Sequence, residues 1–256
     1  MTGLTGKICI VTGAASGIGF AITRAFLAAG AVGVTMVDLT QDALDAAHAD
    51  LSASERARVL LHAGDVSKEA TAPGYTEATI RKWGQVDVSV QCAGIPMSRK
   101  PLLEVDLDVF DKIMAVNVRG VFLGMKQSIA AMVASPSGGK GCSVIVISSQ
   151  LGLEGSPGYS AYSASKFAVR GLMSAAAQEY GPLGIRVNAI CPGPIQTPLM
   201  ADYSEEEVVP HIAKTSLGRI GKPEEIAATA VFLASDGGAY FSGSSLKVDG
   251  GWSQWC

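Results

Sequence analysis

The 256-residue sequence is poor in charged and aromatic residues, which make up 17% and 6% of it, and no part of it concentrates lysine and arginine. Nucleic acids and anionic membrane surfaces bind proteins through clusters of basic side chains. The absence of such a cluster, together with a formal net charge of -3, argues against both kinds of partner.

The sequence also lacks long apolar runs and regular cysteine or histidine spacings. No segment approaches the roughly 18 apolar residues that cross a bilayer, and MTGLTGKICIVTG at the start lacks the apolar stretch of a signal peptide. The 5 cysteines fit neither a disulfide framework nor a CxxC metal site, and the 3 histidines lack HxxxH or HExxH spacing. We therefore expect a soluble cytoplasmic protein with reduced thiols and no metal.

Apolar residues are abundant, at 48%, and short β-branched runs alternate with longer Ala/Leu-rich stretches along the whole chain. This pattern is typical of βαβ units around a parallel sheet. We predict strands at 7–12, 33–38, 58–63, 86–91, 143–148, 185–191 and 245–249, and helices at 18–29, 41–51, 68–82, 107–133, 159–180 and 224–234. No linker or repeat interrupts them. The sequence thus predicts one α/β domain over residues 1–256, a Rossmann-like, doubly wound, seven-stranded parallel sheet with helices on both faces.

A glycine-rich turn, TGAASGIG at residues 12–19, follows the first predicted strand and opens the first predicted helix. Gly13 permits a tight turn, Gly17 lets a pyrophosphate approach the backbone, and Gly19 lets the helix pack near the strand. The spacing G-x-x-x-G-x-G differs from the general G-x-G-x-x-G fingerprint, and a purely structural turn needs glycine too. The position between strand and helix favours a nucleotide site.

Asp38 ends the second predicted strand, 19 residues after Gly19. An acidic side chain at this position can accept hydrogen bonds from the adenosine ribose hydroxyls and would repel a 2′-phosphate. Leu39 and Thr40 follow it, so no neighbouring cation neutralises such a phosphate. We therefore predict NAD(H) rather than NADP(H). Asp38 also fits a turn or N-cap residue before the next helix, a role that it could fill at the same time.

Tyr162 and Lys166 are four residues apart in a predicted helix, so their side chains share one face. A phenol has an unperturbed pKa near ~10, and a close positive charge favours its phenolate. The pair therefore fits a general acid/base for proton transfer. A solvated helix face also carries Tyr and Lys at this spacing, so the choice depends on the other motifs.

Five further short motifs occur along the chain. They are Asp65-Val66, Ala93-Gly94, Asn117, Ser149, and Pro192-Gly193 with Thr197. Together with the glycine turn and the Tyr/Lys pair, they make the chain resemble the short-chain dehydrogenase/reductase family over nearly its whole length. The resemblance implies a cofactor site made of Gly13, Ser16, Gly17, Ile18, Gly19, Asp38, Leu39, Asp65, Val66, Ala93, Gly94, Asn117, Tyr162, Lys166, Pro192, Gly193, Ile195 and Thr197.

The resemblance also implies a catalytic tetrad of Asn117, Ser149, Tyr162 and Lys166. In this hypothesis Tyr162 exchanges a proton with the substrate oxygen, Ser149 hydrogen-bonds that oxygen, and Lys166 holds the nicotinamide ribose. Asn117 is expected to bend its helix and to hold a water beside Lys166. Ser148 is the competing serine, and we choose Ser149 because it lies 13 residues before Tyr162.

These motifs predict an NAD-dependent alcohol dehydrogenase or ketone reductase that acts on a small, mainly apolar secondary alcohol or ketone. Two alternatives stay open. A 3-oxoacyl-carrier-protein reductase shares the tetrad but would want NADPH and a basic surface, and Asp38 argues against it. A non-catalytic nucleotide-binding scaffold would keep the fold without the chemistry.

The chain departs from the family's pattern after the fourth predicted strand, where Gln91-Cys92 replace the usual Asn-Asn. The asparagine that commonly ties neighbouring strands together is missing, so another group must satisfy those backbone atoms. We interpret Cys92 as a buried small residue rather than a reactive thiol.

The expected substrate contacts are mainly apolar. They are Met97, Ser149, Leu151, Tyr162 and Leu199. Residues 194–217 are predicted to form a substrate lid whose helix starts at SEEE, residues 204–207, and a static surface helix is the alternative. The family resemblance implies a homotetramer. Trp252 and Trp255 suit either a subunit contact or a cap on the core.

Overall fold

Seven parallel strands form a single sheet in the computed structural model, which describes residues 3–200, residue 209 and residues 212–252, with only the backbone of Leu199. The order across the sheet is β3-β2-β1-β4-β5-β6-β7. The strands are β1 (Ile8–Thr12), β2 (Gly33–Asp38), β3 (Val59–Ala63), β4 (Val88–Gln91), β5 (Ser143–Ile147), β6 (Arg186–Pro192) and β7 (Ser245–Val248). The predicted fold class and all seven predicted strands are confirmed.

Helices connect most of the strands and cover both faces of the sheet. They are α1 (Gly17–Ala28), α2 (Gln41–Ala49), α3 (Ala53–Arg56), α4 (Thr71–Trp83), α5 (Leu107–Met114), α6 (Val121–Ala134), α7 (Ser160–Tyr180) and α8 (Pro223–Ala234). Every residue of β1 and of β5 is buried. Strands covered on both sides read as continuous apolar runs, which is why these two were readable from the sequence.

The core has one layer on each side of the sheet. On one side α1 packs against α8 around Phe26 and Leu233. On the other side α4, α6 and α7 bury Tyr75, Met132 and Met173. Among the described residues, no helix combines the length and apolarity that crossing a membrane requires.

The predicted helix at 107–133 is interrupted. A π-helical segment, Ala115–Gly120, lies between α5 and α6 and contains the buried Asn117. Such segments insert an extra residue into a helical turn and often occur at functional sites. Gly120 ends the segment beside the loop after β3, where an added Cβ would lie 2.9 Å from Val66 Cγ2.

The strand order reverses between β1 and β4. The chain moves outward from β1 to β2 and β3, then returns to place β4 on the other side of β1. In open parallel sheets a crevice forms at the carboxyl ends of the strands at such a reversal. The loops after β1 and β4, which contain Gly13 and Gly94, therefore meet at one site.

Candidate active site

The glycine loop after β1 is packed too closely for larger residues. Gly13 and Gly17 have φ values of +66° and +50°, which side-chain-bearing residues rarely adopt. An added Cβ at Gly13 would lie 2.9 Å from Ala93 Cα, and one at Gly19 would collide with the Gly13 carbonyl. Thr197 lies against Gly17, where an added Cβ would be 3.2 Å from Thr197 Cγ2. The loops after β1, β4 and β6 are thereby brought together.

The start of α1 offers unpaired backbone donors. Ser16 is the N-cap residue, its side chain makes no capping hydrogen bond, and the first turn contains no acidic residue. The first N–H groups of a helix have no partner within the helix, and the helix dipole makes this end positive. The predicted contacts Ser16, Gly17 and Ile18 therefore form a place where an anion is stabilised.

Asp38 lies beside this loop at the end of β2. Its Oδ2 accepts a hydrogen bond from the Ala15 N–H at 2.8 Å, and its Oδ1 accepts one from the Leu39 N–H at 2.7 Å. The carboxylate is thus oriented by the glycine loop itself. Thr40, and not Asp38, is the N-cap of α2, so the simple capping interpretation of Asp38 is wrong.

Thr12 joins the end of β1 to the loop after β4, where the sequence predicted no connecting side chain. Its hydroxyl accepts hydrogen bonds from the backbone N–H groups of Cys92 at 3.0 Å and Ala93 at 3.1 Å. The last side chain of β1 therefore holds the chain leaving β4. No local pattern in the sequence indicates this contact, because the two donors lie 80 and 81 positions from Thr12.

Gln91 points into the opposite layer and joins a buried polar network. Its Nε2 donates to Ser89 Oγ at 2.7 Å, Ser89 pairs with Ser128 at 2.8 Å, and a further side-chain hydrogen bond links Gln91 to Tyr75. A Cβ at Gly124 would collide with the Gln91 carboxamide. The longer side chain is accommodated because α6 carries glycine opposite it.

Cys92 packs against the core cluster that contains α1 and α8. Burial raises the pKa of its thiol to about 12. The charge of Lys166 lowers this pKa and the charge of Asp38 raises it, each by less than burial does. A thiol with this pKa is almost wholly protonated at neutral pH. Cys92 is only partly buried, so the predicted full burial is wrong, while its packing and its raised pKa favour a packed small residue over a reactive thiol.

Asn117 joins the π-helical segment to the loop after β4 and to α7. Its Oδ1 accepts from the Ile95 N–H at 2.8 Å, and its Nδ2 donates to the Ile95 carbonyl at 3.0 Å and to Ser165 Oγ at 3.1 Å. The side-chain amide therefore has protein partners where we expected a water. The predicted irregularity of the helix at Asn117 is present, and the water relay stays a prediction.

Lys166 is 5% exposed and extends towards the carboxyl end of β5. Its Nζ donates to the Ile147 carbonyl at 3.0 Å and lies 5.5 Å from the centroid of the Tyr162 ring. A Cβ added at Gly94 would lie 3.4 Å from Lys166 Nζ and 3.3 Å from Asn117 Oδ1. The structure therefore brings three of the predicted residues, Lys166, Asn117 and Gly94, into contact distance, with Tyr162 beside them.

The two neighbouring serines have different surroundings. Ser148 is buried, and its hydroxyl donates to the Lys166 carbonyl at 2.9 Å. The Ser149 hydroxyl accepts from the Leu151 N–H at 3.1 Å, which leaves its own proton available for another acceptor. Ser148 thus fastens α7 to β5, while Ser149 can donate to a substrate oxygen.

An apolar cluster lies next to the Tyr162 ring. Met97, Ile113 and Ala161 are its buried members, and Ile95, Val105 and Tyr162 pack against them. Met97, a predicted substrate contact, is therefore a buried member of the cluster against which Tyr162 packs, and its contact with a substrate stays a prediction. The side chain of Leu199 and the lid residues 204–207 lie outside the described residues.

The remaining predicted cofactor residues occupy the same edge of the sheet. Asp65 accepts from the Ser67 N–H at 2.9 Å, and its hydrogen bonding with Ser67 lowers the Asp65 pKa. The loop after β6 passes close to β7, since a Cβ at Gly193 would lie 2.7 Å from Asp249 Cα. Ile195 turns its side chain into the core, which leaves only its backbone for a ligand.

Fold and site together define a class, an α/β domain with a glycine-rich loop and a Tyr/Lys pair at the switch point of a parallel sheet. A family model described as "Enoyl-(Acyl carrier protein) reductase" matches residues 13–253. The chain belongs to the short-chain dehydrogenase/reductase family and is an oxidoreductase.

Individual relatives cover almost the whole chain. It is 38% identical to 3beta-hydroxysteroid dehydrogenase 2 of Eggerthella lenta, over 98% of this chain and 96% of that protein. It is 36% identical to cis-4-hydroxycyclohexanecarboxylate dehydrogenase of Sinomonas cyclohexanicum, over 96% of each. A solved structure of 3-ketoacyl-(acyl-carrier-protein) reductase from Brucella melitensis, complexed with NADH, superposes with a TM-score of 0.89 at 32% identity, covering 98% of this chain and 99% of that one.

Proposed function

We propose that this protein transfers a hydride between NAD(H) and a small, mainly apolar secondary alcohol or ketone, with Tyr162 as the general acid/base. The observation that carries the proposal is the buried ammonium of Lys166. Within the described part of the chain its Nζ makes one hydrogen bond, to Ile147, although an ammonium has three donors. A buried cation with unused donors fits a ligand that supplies hydroxyl oxygens.

The residues present fit a nicotinamide dinucleotide. The close-packed glycines at 13, 17 and 19 leave the backbone open to a pyrophosphate at the start of α1, and Asp38 is held at the edge of the same loop. Lys166 would hold the nicotinamide ribose, next to Gly94. Such a cofactor supplies the hydride acceptor or donor, and the chain's own residues move the proton.

Tyr162 and Ser149 divide the work at the substrate oxygen. In oxidation Tyr162 takes the hydroxyl proton, and in reduction it returns a proton to the carbonyl oxygen. Ser149 donates its free hydroxyl proton to the same oxygen and stabilises developing negative charge there. The ammonium of Lys166 lies 5.5 Å from the centroid of the Tyr162 ring, so a positive charge lies beside the group that exchanges the proton.

The cofactor preference and the substrate class are part of the proposal. Asp38 supports NAD(H), because a 2′-phosphate would bring negative charge next to its carboxylate. The apolar cluster at Met97 and Ile113 supports an alicyclic substrate. Two relatives, a 3beta-hydroxysteroid dehydrogenase and a cis-4-hydroxycyclohexanecarboxylate dehydrogenase, also support an alicyclic substrate.

A direct test follows nicotinamide absorbance with NAD(H) and NADP(H) against a panel of cyclic and open-chain alcohols and ketones. We expect turnover of an alicyclic ketone with NADH, and a loss of kcat of at least about a thousandfold in Tyr162→Phe with NADH binding retained. Tyr159→Phe, three residues earlier, is the control and should keep its activity. Near wild-type kcat in Tyr162→Phe would refute the assignment.

A 3-oxoacyl thioester reductase is the second candidate, since the Brucella melitensis structure carries that description. Adding a 3-oxoacyl thioester to the panel decides between them. Preferred turnover of the thioester with NADPH would replace our proposal by this one.

We also propose a cytoplasmic homotetramer. Leu103, Leu107 and Phe122 are 98%, 78% and 46% exposed along the segment that leads through α5 into α6. Large exposed side chains in one region mark an association surface. Light scattering during size-exclusion chromatography should give four times the 26.3 kDa subunit mass, and Leu107→Asp should lower it.

A further inference from the structure

Ser165 connects two parts of the predicted catalytic site from inside the protein. It lies on α7, directly before Lys166, and is 0% exposed. Its hydroxyl donates to the Tyr162 carbonyl at 2.7 Å and accepts from Asn117 Nδ2 at 3.1 Å. The backbone of Tyr162 and the side chain of Asn117 are therefore joined through one buried oxygen, although Ser165 and Asn117 are 48 positions apart.

The bond to the Tyr162 carbonyl decides what Ser165 can offer to Asn117. A serine hydroxyl has one proton and a carbonyl oxygen only accepts, so that proton is committed to Tyr162. The Ser165 oxygen is then an acceptor for Asn117, which must present its NH₂ group. This NH₂ group also donates to the Ile95 carbonyl at 3.0 Å. Both donors of the Asn117 amide are therefore used.

The oxygen of the same amide reaches the place predicted for the nicotinamide. Asn117 Oδ1 accepts from the Ile95 N–H at 2.8 Å and lies 3.3 Å from a Cβ added at Gly94. Lys166 Nζ lies 3.4 Å from the same point. A shift of the Asn117 amide therefore changes the space in which we propose that hydride transfer occurs.

The Ser165 hydroxyl, the Asn117 amide and the Ile95 backbone form a continuous chain of hydrogen bonds, which we call the amide bridge. We propose that Ser165 is a positioning residue that, through the amide bridge, sets the distance between Tyr162 and the loop after β4. Because Ser165 is fully buried, it acts on the reaction only through the groups that it bonds. This inference rests on the proposed function, which places a nicotinamide at that loop and the substrate oxygen at Tyr162.

Loss of the Ser165 hydroxyl would leave one N–H of Asn117 without its acceptor in the protein interior. A buried donor without a partner is unfavourable, so the amide turns or moves to recover one. The Ile95 N–H, which donates to the oxygen of this amide, then loses its fixed acceptor. Small misplacements of this kind lower the rate of the chemical step even where the binding contacts are kept.

Ser163 supplies a matched control two residues earlier on α7. It is also buried, at 6% exposed, and within the described part of the chain its hydroxyl has no hydrogen-bond partner. Substitution by alanine therefore removes the same atom from the same helix at both positions. Only Ser165→Ala breaks the amide bridge.

The kinetic test uses NADH and an accepted ketone. Ser165→Ala should lower kcat about tenfold, while the NADH Kd and the KM for the ketone stay within about twofold of wild type. Ser163→Ala should keep kcat within about twofold of wild type. Wild-type kcat in folded Ser165→Ala refutes the inference, and so does an equal loss in Ser163→Ala, which would indicate packing alone.

A second variant keeps the test decisive if Ser165→Ala does not fold. Ser165→Cys fills nearly the same space, but a thiol is only a weak donor and a weak acceptor. It should therefore also lower kcat with little change in the NADH Kd. Wild-type kcat in Ser165→Cys together with unchanged amide exchange at Ile95 would refute the inference.

Amide hydrogen exchange, followed residue by residue, gives a readout that needs no turnover. Ser165→Ala should speed exchange of the Ile95 amide about fivefold or more and leave the Cys92 and Ala93 amides, which Thr12 holds, unchanged. Unchanged exchange at Ile95 refutes the amide bridge whatever the activity.

The two readouts separate this inference from the proposed function. If the wild type turns over no compound of the panel, the proposed function fails, and faster exchange at Ile95 in Ser165→Ala still supports the amide bridge. If the wild type is active and Ser165→Ala shows faster exchange with unchanged kcat, the positioning role is refuted and the proposed function stands.

Discussion

The hydroxyl of Thr12 accepts a hydrogen bond from the backbone N–H of Cys92 at 3.0 Å, and this contact joins the ends of β1 and β4. It lies at the switch point of the sheet, between the glycine loop and the residues that follow β4. The same hydroxyl accepts from Ala93, so one side chain satisfies two consecutive donors. The side chain of Thr12 thus holds the start of the loop after β4, next to the two positions where Gln91 and Cys92 depart from the family's pattern.

Thr12→Val should destabilise the protein by about 1–3 kcal/mol, because it leaves two shielded N–H groups without an acceptor while nearly preserving the side-chain shape. Urea denaturation measures the loss. Thr12→Ser keeps the hydroxyl and should retain most of the stability. Equal stability of Thr12→Val and wild type would show that the contact contributes nothing.

Gly94→Ala should reduce kcat by about tenfold or more, because the new methyl group would lie 3.3 Å from Asn117 Oδ1 and 3.4 Å from Lys166 Nζ, so that the Asn117 amide must shift slightly and the space beside Lys166 is filled. Steady-state kinetics with NADH and an accepted ketone measures the change. Gly171→Ala is the control, since nothing lies within 4 Å of a Cβ at that position of α7. Full activity in Gly94→Ala would contradict the assigned position of the two polar groups.

Substitution of Ser149 should affect catalysis, whereas substitution of its neighbour Ser148 should affect stability. Ser149→Ala is expected to lower kcat/KM by about 10²–10³, the effect of removing one donor to a developing oxyanion. Ser148→Ala is expected to cost about 1 kcal/mol of unfolding free energy through its lost bond to the Lys166 carbonyl, and to keep most of the activity. The reverse pattern, with Ser148→Ala inactive and Ser149→Ala active, would show that the wrong serine was chosen.

Asp38→Asn should shift the cofactor preference towards NADPH on the order of tenfold, about 1.4 kcal/mol, because it removes the negative charge that faces a 2′-phosphate. The ratio of kcat/KM for NADH and NADPH measures it. Asp42→Asn, at the exposed start of α2, removes the same charge a short distance away and should leave the ratio unchanged. An unaltered ratio in Asp38→Asn would remove the basis for the NAD(H) preference.

Three buried thiols and the partly buried thiol of Cys92 should resist alkylation. Burial raises the pKa of Cys92 to about 12 and also raises those of Cys9, Cys142 and Cys191. At pH 8 a thiol with a pKa of about 12 is ionised in roughly one molecule in ten thousand. In Cys256→Ser, a thiol-specific dye should therefore react slowly with the native protein and fully after unfolding. Rapid reaction of Cys92 would identify it as an exposed thiolate.

Much of the fold was readable because its signals are local. The apolar runs of β1 and β5, the turn at 12–19 and the four-residue step from Tyr162 to Lys166 each lie within a few residues of sequence. The π-helical segment around Asn117 was readable only as an irregularity, since no local pattern distinguishes it from a continuous helix.

The sequence by itself determined the strand and helix pattern and the glycine loop, because periodicity and motif spacing are properties of neighbouring residues. The predicted tetrad came from the resemblance to the family. The tertiary structure alone decided that Thr12 holds Cys92, that Gly124 makes room for Gln91, and that Trp252 bonds to Glu154. The Thr12 and Trp252 contacts join residues 80 and 98 positions apart. Which distant side chains meet depends on the order of the strands in the sheet, and no local pattern encodes that meeting.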